Sequence, residues 1–224
     1  CLPSTLPRPL FDDIEQNQSK REKQIPCKAW ATCVLAFFVL SGCAGESNVE
    51  RALDDQILHF GLGAEPQSID PHLANSVSAH NILTALLEGL VSEDPKTLKP
   101  TPGVAEKWDI SEDGTVYVFH FRKNAKWSNG VPVTAHDFVY SYKRILDPNL
   151  GSQYASMLHI LKNSKSYGEG KQSWEDSKVG VEALDDHTLK LTLENPVPYF
   201  LEQLNHFTWF PVHPPTIESF GARL

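Results

Sequence analysis

The sequence predicts an α+β protein, and three features carry that expectation. Residues 116–121 alternate strictly, with Tyr117, Phe119 and Phe121 on one side and Val116, Val118 and His120 on the other, as in a half-buried strand. After Pro132 the period changes: Thr134 can cap a helix, Asp137 stands three places on as its capping-box partner, and Phe138, Val139, Tyr142 and Ile145 recur at helical spacing. Residues 179–183 and 188–193 alternate again across Asp185-Asp186, the pattern of a β-hairpin with Leu189, Leu191 and Leu193 toward the core.

Composition sets the outer bounds. At 41% hydrophobic and 21% charged, the 224 residues have the balance of a globular protein with one good core or two small ones. Beyond residue 42 there are 15 Lys and Arg against 24 Asp and Glu, an excess of acid that argues against nucleic acid as a partner. All four cysteines, Cys1, Cys27, Cys33 and Cys43, lie in the first fifth of the chain, so no disulfide framework is available to the globular part. The chain begins at Cys1 and its one methionine is Met157, from which we expect a partial or mis-bounded reading frame.

Taken in order, residues 1–19 show no periodicity and are read as an upstream or disordered extension. Lys20, Arg21, Lys23 and Lys28 then form a positive n-region, and residues 29–40 an apolar h-region of about a dozen residues, too short to span a bilayer comfortably. The h-region ends in Leu40-Ser41-Gly42-Cys43, which resembles a bacterial lipobox. Residues 20–42 are therefore expected to be a lipoprotein signal peptide and Cys43 the residue that takes the lipid, two or three acyl chains being needed for a stable anchor. Residues 43–55 read as a polar tether.

Residues 56–60 read as a short strand, followed by a turn-rich run to Pro71. A helix is expected from about Ser78, with Ile82, Leu83, Leu86 and Leu87 on its inner face and Gly89 just past its C-cap. The loop between them, residues 70–77, joins rigid elements, where ligand contacts usually sit. Turns at Glu112-Asp113-Gly114 and Ser128-Asn129-Gly130 bracket the aromatic strand, and the helix after Thr134 is expected to stop at Asp147-Pro148-Asn149. The weakly patterned run to Asp176 reads as a solvated loop around a short helix. Pro196 to Phe200 opens another short helix, residues 207–212 are apolar and aromatic, and residues 215–220 start a last helix before a stop at Leu224 that reads as a truncation.

No pattern of catalysis emerges. There is no G-x-S-x-G elbow, and no cysteine beyond Cys43 to serve as nucleophile in the globular part. The nine histidines show no H-E-x-x-H spacing, and His206 and His213 are separated by an apolar run. Gly61-Leu62-Gly63 lacks the third glycine and the following helix of a phosphate loop. The expectation is therefore no enzyme, no metal and no cofactor.

Several stretches resemble a known family: Glu65-Pro66-Gln67-Ser68-Ile69-Asp70-Pro71-His72, Leu87-Glu88-Gly89-Leu90-Val91, Pro102-Gly103-Val104-Ala105-Glu106-Lys107-Trp108, Trp127-Ser128-Asn129-Gly130, Asp137-Phe138-Val139-Tyr140-Ser141 and Glu194-Asn195-Pro196-Val197-Pro198-Tyr199-Phe200. Together, and in order from about Gln56 to Leu224, they resemble the extracellular solute-binding proteins of family 5, in particular the oligopeptide-binding proteins of ABC importers. That resemblance implies a two-lobed periplasmic-binding-protein type II fold, present here in part: residues 56–87 would start lobe I, 88–211 would form an inserted small α+β domain, and 212–224 would return into lobe I. It implies a monomeric, membrane-anchored, periplasmic or otherwise extracytoplasmic receptor that clamps an oligopeptide by its backbone and delivers it to an ABC permease and its ATPase. Position by position, Asn75 and Val77 match residues that meet the peptide, and Tyr154 matches an aromatic that flanks it. Asn75 stands where the best-known oligopeptide binders carry an acidic residue. A dipeptide, a nickel chelate, haem or another small solute is the alternative ligand, and a peptide receptor that signals instead of feeding a permease is the alternative role.

Overall fold

The structure, a computed structural model, describes residues 56–57 and 60–220. The stretches expected to be the extension, the leader and the tether, with Cys43 as the expected lipidation site, lie outside the described residues. Contacts divide the chain into a unit Cys1–Gly61 and a unit Leu62–Leu224, and the second is the one described below. The strand expected at 56–60 is not found among the described residues of that run: Gln56 sits in a turn with φ of +54°, and Ile57 and Phe60 lie outside any strand. A two-residue alternation fits a strand only if a partner completes its ladder, and pattern alone cannot supply one.

The centre is a four-stranded antiparallel sheet in the order β3-β4-β6-β5, with β3 at Ala105–Ile110, β4 at Val116–Phe121, β5 at Val181–Asp185 and β6 at Thr188–Thr192. A separate ribbon pairs β1, Val91–Glu93, with β2, Pro100–Pro102. In β4 burial alternates as expected, with Tyr117, Phe119 and Phe121 inward. Register places Tyr117 beside Leu191 and Phe119 beside Leu189, so both middle strands contribute to one apolar face. On the opposite face His120 Nε2 lies 2.7 Å from Asp109 Oδ2, an exposed cross-strand pair. Gly114 and Gly130 take positive φ, +69° and +86°, at the two turns read from the sequence.

Helix α2, Ala135–Leu146, covers that face. Its start is set as the sequence implies, the Asp137 carboxylate accepting from the Thr134 amide at 2.9 Å and from Trp127 Nε1 at 3.1 Å. Phe138, Tyr142 and Ile145 are wholly buried, and Asp147 ends the helix. The core then continues as edge-on rings: Phe121 to Phe138 at 5.2 Å, Tyr142 to Trp209 at 5.5 Å, Phe200 to Trp209 at 5.7 Å and Tyr117 to Phe200 at 4.7 Å between centroids.

The run read as a solvated loop differs most. It folds into a 3₁₀ turn at Ala155–Ile160, then α3 at Ser164–Gly168 and α4 at Trp174–Ser177. Leu158 and Leu161 are completely buried, and the buried Ser164 hydroxyl donates to the Leu161 carbonyl at 2.6 Å. Lys162 and Gly180 extend the sheet edge: the Lys162 amide donates to Thr192 O and the Gly180 amide to Lys162 O, both at 2.9 Å. A Cβ on Gly180 would collide with Thr192 O and stand 3.0 Å from the Lys162 Cβ. Gly180→Ala is therefore expected to cost at least the upper part of the about 1–3 kcal/mol typical of overpacking, read as a lower urea midpoint.

The helix after the 70–77 loop, α1, spans Val77–Leu86, with Ser76 as N-cap accepting from the Ala79 amide at 3.2 Å. Its buried side is Ser78, Ala79 and Leu83, while Leu86 is 70% exposed, against the expectation that Leu86 faces inward. The contact ridge follows the i, i+4 row through Ala79, Leu83 and the half-buried Leu87, and Leu86 falls off it. Gly89 is not a left-handed cap residue. Its missing side chain makes room for Phe210, whose ring would meet a Cβ at 2.7 Å. The short helix expected at 196–200 starts only at Phe200 (α5, Phe200–Gln203), and a 3₁₀ turn at Phe207–Trp209 precedes the last helix, α6, at Pro214–Phe220, none of whose residues is buried.

Candidate ligand-binding site

The loop leading into α1 is built around Asp70. Its carbonyl accepts from the amides of Leu73 and Ala74 at 3.0 and 2.8 Å, and its carboxylate accepts from the His72 amide at 2.9 Å, closing a tight turn. Arg144, in the last turn of α2, reaches this turn and grips Asp70 with both ends of its guanidinium, Nη1 to Oδ1 at 3.0 Å and Nη2 to Oδ2 at 2.6 Å. The Arg144 side chain is 10% exposed and that of Asp70 1%. Nη1 of Arg144 also lies 2.8 Å from His72 Nδ1, so this ring nitrogen is the acceptor.

The electrostatics follow from burial and neighbours. Burial, reinforced by the Arg144 charge, holds His72 at a pKa of about 4, although Asp70 and the Phe210 carbonyl favour the protonated ring. For Asp70, burial raises the pKa, but the hydrogen bonds from Arg144 and the His72 amide, with the Arg144 charge, outweigh it and the carboxyl sits below its ordinary value. The cluster is thus a carboxylate, a guanidinium and a neutral imidazole.

Past this turn Ala74 is buried, Asn75 exposed, and Val77 77% exposed at the head of α1. Among the described residues the amides of Asn75 and Val77 donate to nothing, which for Val77, the first residue of α1, is usual at a helix start. Tyr154 is half-buried, its ring 5.5 Å from His206 and 6.0 Å from Phe207, both edge-on. His80 lies over the same group, 5.7 Å from Phe207 and 6.1 Å from His206. Burial, with the neighbouring His80, lowers the His206 pKa. Ala74, Ala79, Leu83, Phe207 and Phe210 form a small core separate from the main one, with Tyr154 packed against it. Of the three residues predicted from the sequence, Tyr154 packs against this satellite core, whereas Asn75 and Val77 are exposed and only adjoin its buried Ala74 and Ala79 along the chain.

The sequence reading missed His80, His206 and the Asp70, His72, Arg144 cluster. The available signal was an Asp and a His two residues apart inside an otherwise apolar run, Ile69, Pro71, Leu73 and Ala74. A cavity of about 280 Å³ lined by His80, Thr84, Gly89, Asn205 and Phe210 adjoins the satellite core. A second, about 340 Å³, is lined by Leu87, Val104, Trp127 and Pro211 and by the Arg122–Glu88 ion pair. Among the described residues no group of three or more His, Cys, Asp or Glu side chains is placed to hold a metal ion, and no helix is long and apolar enough to cross a membrane.

The described residues thus combine antiparallel sheets with a loop fixed by a buried ion pair, and comparison with known proteins gives the class of the chain. Residues 99–222 match the model of the bacterial extracellular solute-binding proteins, family 5. The chain belongs to that family. It is 48% identical over 198 residues to the periplasmic oligopeptide-binding protein OppA of Escherichia coli, an alignment covering 86% of this chain and 36% of that protein. With OppA of Salmonella typhimurium the identity is 43% over 198 residues, at the same coverage of 86% and 36%. The crystal structure of Haemophilus influenzae OppA in complex with the peptide RPPGFSPFR superposes with a TM-score of 0.68 at 42% identity, covering 72% of this chain and 31% of that one. The chain spans about a third of the length of these relatives.

Proposed function

We propose that this chain forms part of the first lobe of an oligopeptide receptor serving an ABC importer, with residues 88–211 as its small domain. The observation that carries the reading is the loop at 70–77, held by Arg144 through Asp70, with the Asn75 and Val77 side chains exposed and their backbone amides unpaired among the described residues, while Tyr154 packs half-buried against the satellite core that Ala74 of this loop enters. Free amides on a rigid loop suit the strand-like pairing by which peptides are held regardless of sequence. A roughly neutral wall, Asn75 and Val77, with an aromatic flank contacts a peptide without demanding one side-chain charge. The identity to periplasmic oligopeptide binders supports an extracytoplasmic site and a permease with its ATPase as partners. Binding without chemistry predicts that peptides are recovered intact.

The test is calorimetric titration of the complete gene product with trialanine and with mixed tri- to pentapeptides. Saturable binding is expected, and no heat with any of them would overturn the peptide assignment. Tyr154→Ala is expected to weaken binding about tenfold, the loss of a partly desolvated aromatic contact of roughly 1.4 kcal/mol. For the anchor, Cys43→Ala is expected to abolish fatty-acid labelling and membrane retention, and a variant still labelled would refute Cys43 as the attachment point.

A further inference from the structure

One turn of α2 fixes both sides of the satellite core. From its buried face the Ser141 hydroxyl accepts from the Val212 amide at 2.8 Å, tying down the segment that carries Phe207 against Tyr154. Three residues later Arg144 holds Asp70, tying down the loop that carries Asn75 and Val77. The turn itself cannot shift easily, because Tyr142 and Ile145 on either side of Arg144 are completely buried in the main core. Among the described residues the satellite core has five buried side chains, too few to set the spacing of its walls by packing alone.

We infer that Arg144 is a positioning residue for ligand binding: its two-point grip on Asp70 sets the 70–77 loop at a fixed distance from the Tyr154 side of the site. The inference rests on the peptide-binding reading above for its functional consequence. The chemistry favours Arg specifically. A guanidinium locks a carboxylate through two parallel hydrogen bonds and still reaches His72, whereas a lysine ammonium on the same carboxylate is a point charge that leaves the turn free to rotate. Arg144→Lys keeps the charge and removes the fork.

The experiment measures hydrogen exchange and trialanine binding on the complete gene product, wild type and Arg144→Lys. The amides of His72, Leu73 and Ala74, bonded to Asp70, report the loop, and those of β4 and β6 report the sheet. The expected result is at least tenfold faster exchange in the loop, an unchanged sheet, and an affinity for trialanine at least tenfold weaker. Unchanged loop exchange, or equal acceleration in loop and sheet, would overturn the inference, the second outcome assigning Arg144 a merely structural part. A loosened loop with unchanged affinity would also overturn it. If the wild type binds no peptide, the functional reading fails by itself while the exchange comparison still decides whether Arg144 fixes the loop. Should Arg144→Lys fail to fold, Asp70→Asn, which keeps the shape of the carboxylate and one acceptor, gives the same readouts with the same expected signs.

Discussion

Asp70→Ala is expected to destabilise the protein by about 3–5 kcal/mol, the cost of leaving the buried Arg144 guanidinium without its counter-charge. The magnitude comes from the uncompensated cation and not from the intrinsic worth of the ion pair, since a buried pair replaced as a unit by apolar groups is often neutral. The double variant Asp70→Ala/Arg144→Met is therefore expected to recover part of the loss in a urea titration. The same cluster sets an acid response. His72 is neutral when folded with a pKa of about 4, below the 6.5 of the free side chain, so the unfolded chain takes up its proton first as the pH falls. Its contribution is complete above about pH 6.5 and is lost between there and pH 4, by an amount on the order of 3 kcal/mol. Asp70, whose pKa is lowered, loses its contribution at still lower pH, as the carboxyl protonates. His72→Gln is expected to flatten the fall between pH 6.5 and 4, and an unchanged slope would show that other groups produce it.

Trp209→Ala is expected to cost about 3–5 kcal/mol as well, by a different route. Its ring is completely buried, meets Tyr142 and Phe200 edge-on, and its carbonyl accepts from the Tyr142 hydroxyl at 3.1 Å. The indole Nε1 is buried and unbonded among the described residues. Trp209→Phe, which keeps a ring and removes an unsatisfied donor, is thus expected to restore most of the stability. A phenylalanine variant as unstable as the alanine variant would mean that the indole nitrogen has a partner.

Local signals proved legible where the chain determines its own geometry. The β4 alternation, the turn glycines Gly114 and Gly130, the Asp137 cap of α2 and the 179–193 hairpin all follow from side-chain period or backbone φ, and all are present. What could not be read depends on neighbours distant in sequence. Leu158 and Leu161 lack periodicity because a 3₁₀ turn and a bridge to Leu193, not a regular element, bury them. Gly89 has the position of a helix cap but serves the Phe210 ring, 121 residues later. Leu86 has helical spacing yet lies off the i, i+4 ridge that packs. Arg144 follows the apolar stripe of α2 and reads as a solvated charge near a helix C-terminus, and only the fold brings it to Asp70. Asn75, Val77 and Tyr154 were reached through resemblance, because an exposed loop residue leaves no periodic trace.

The central claim is that peptide lies against the 75–77 loop and Tyr154. Photo-cross-linking measures this most directly, with a short peptide carrying benzoylphenylalanine bound to the complete gene product and the attachment sites mapped by mass spectrometry. Attachment within residues 73–79 and at or next to Tyr154, suppressed by excess unlabelled trialanine, is the predicted result. Competable attachment in this chain confined to the cavity beside Arg122 and Trp127, with none at either predicted wall, would contradict it.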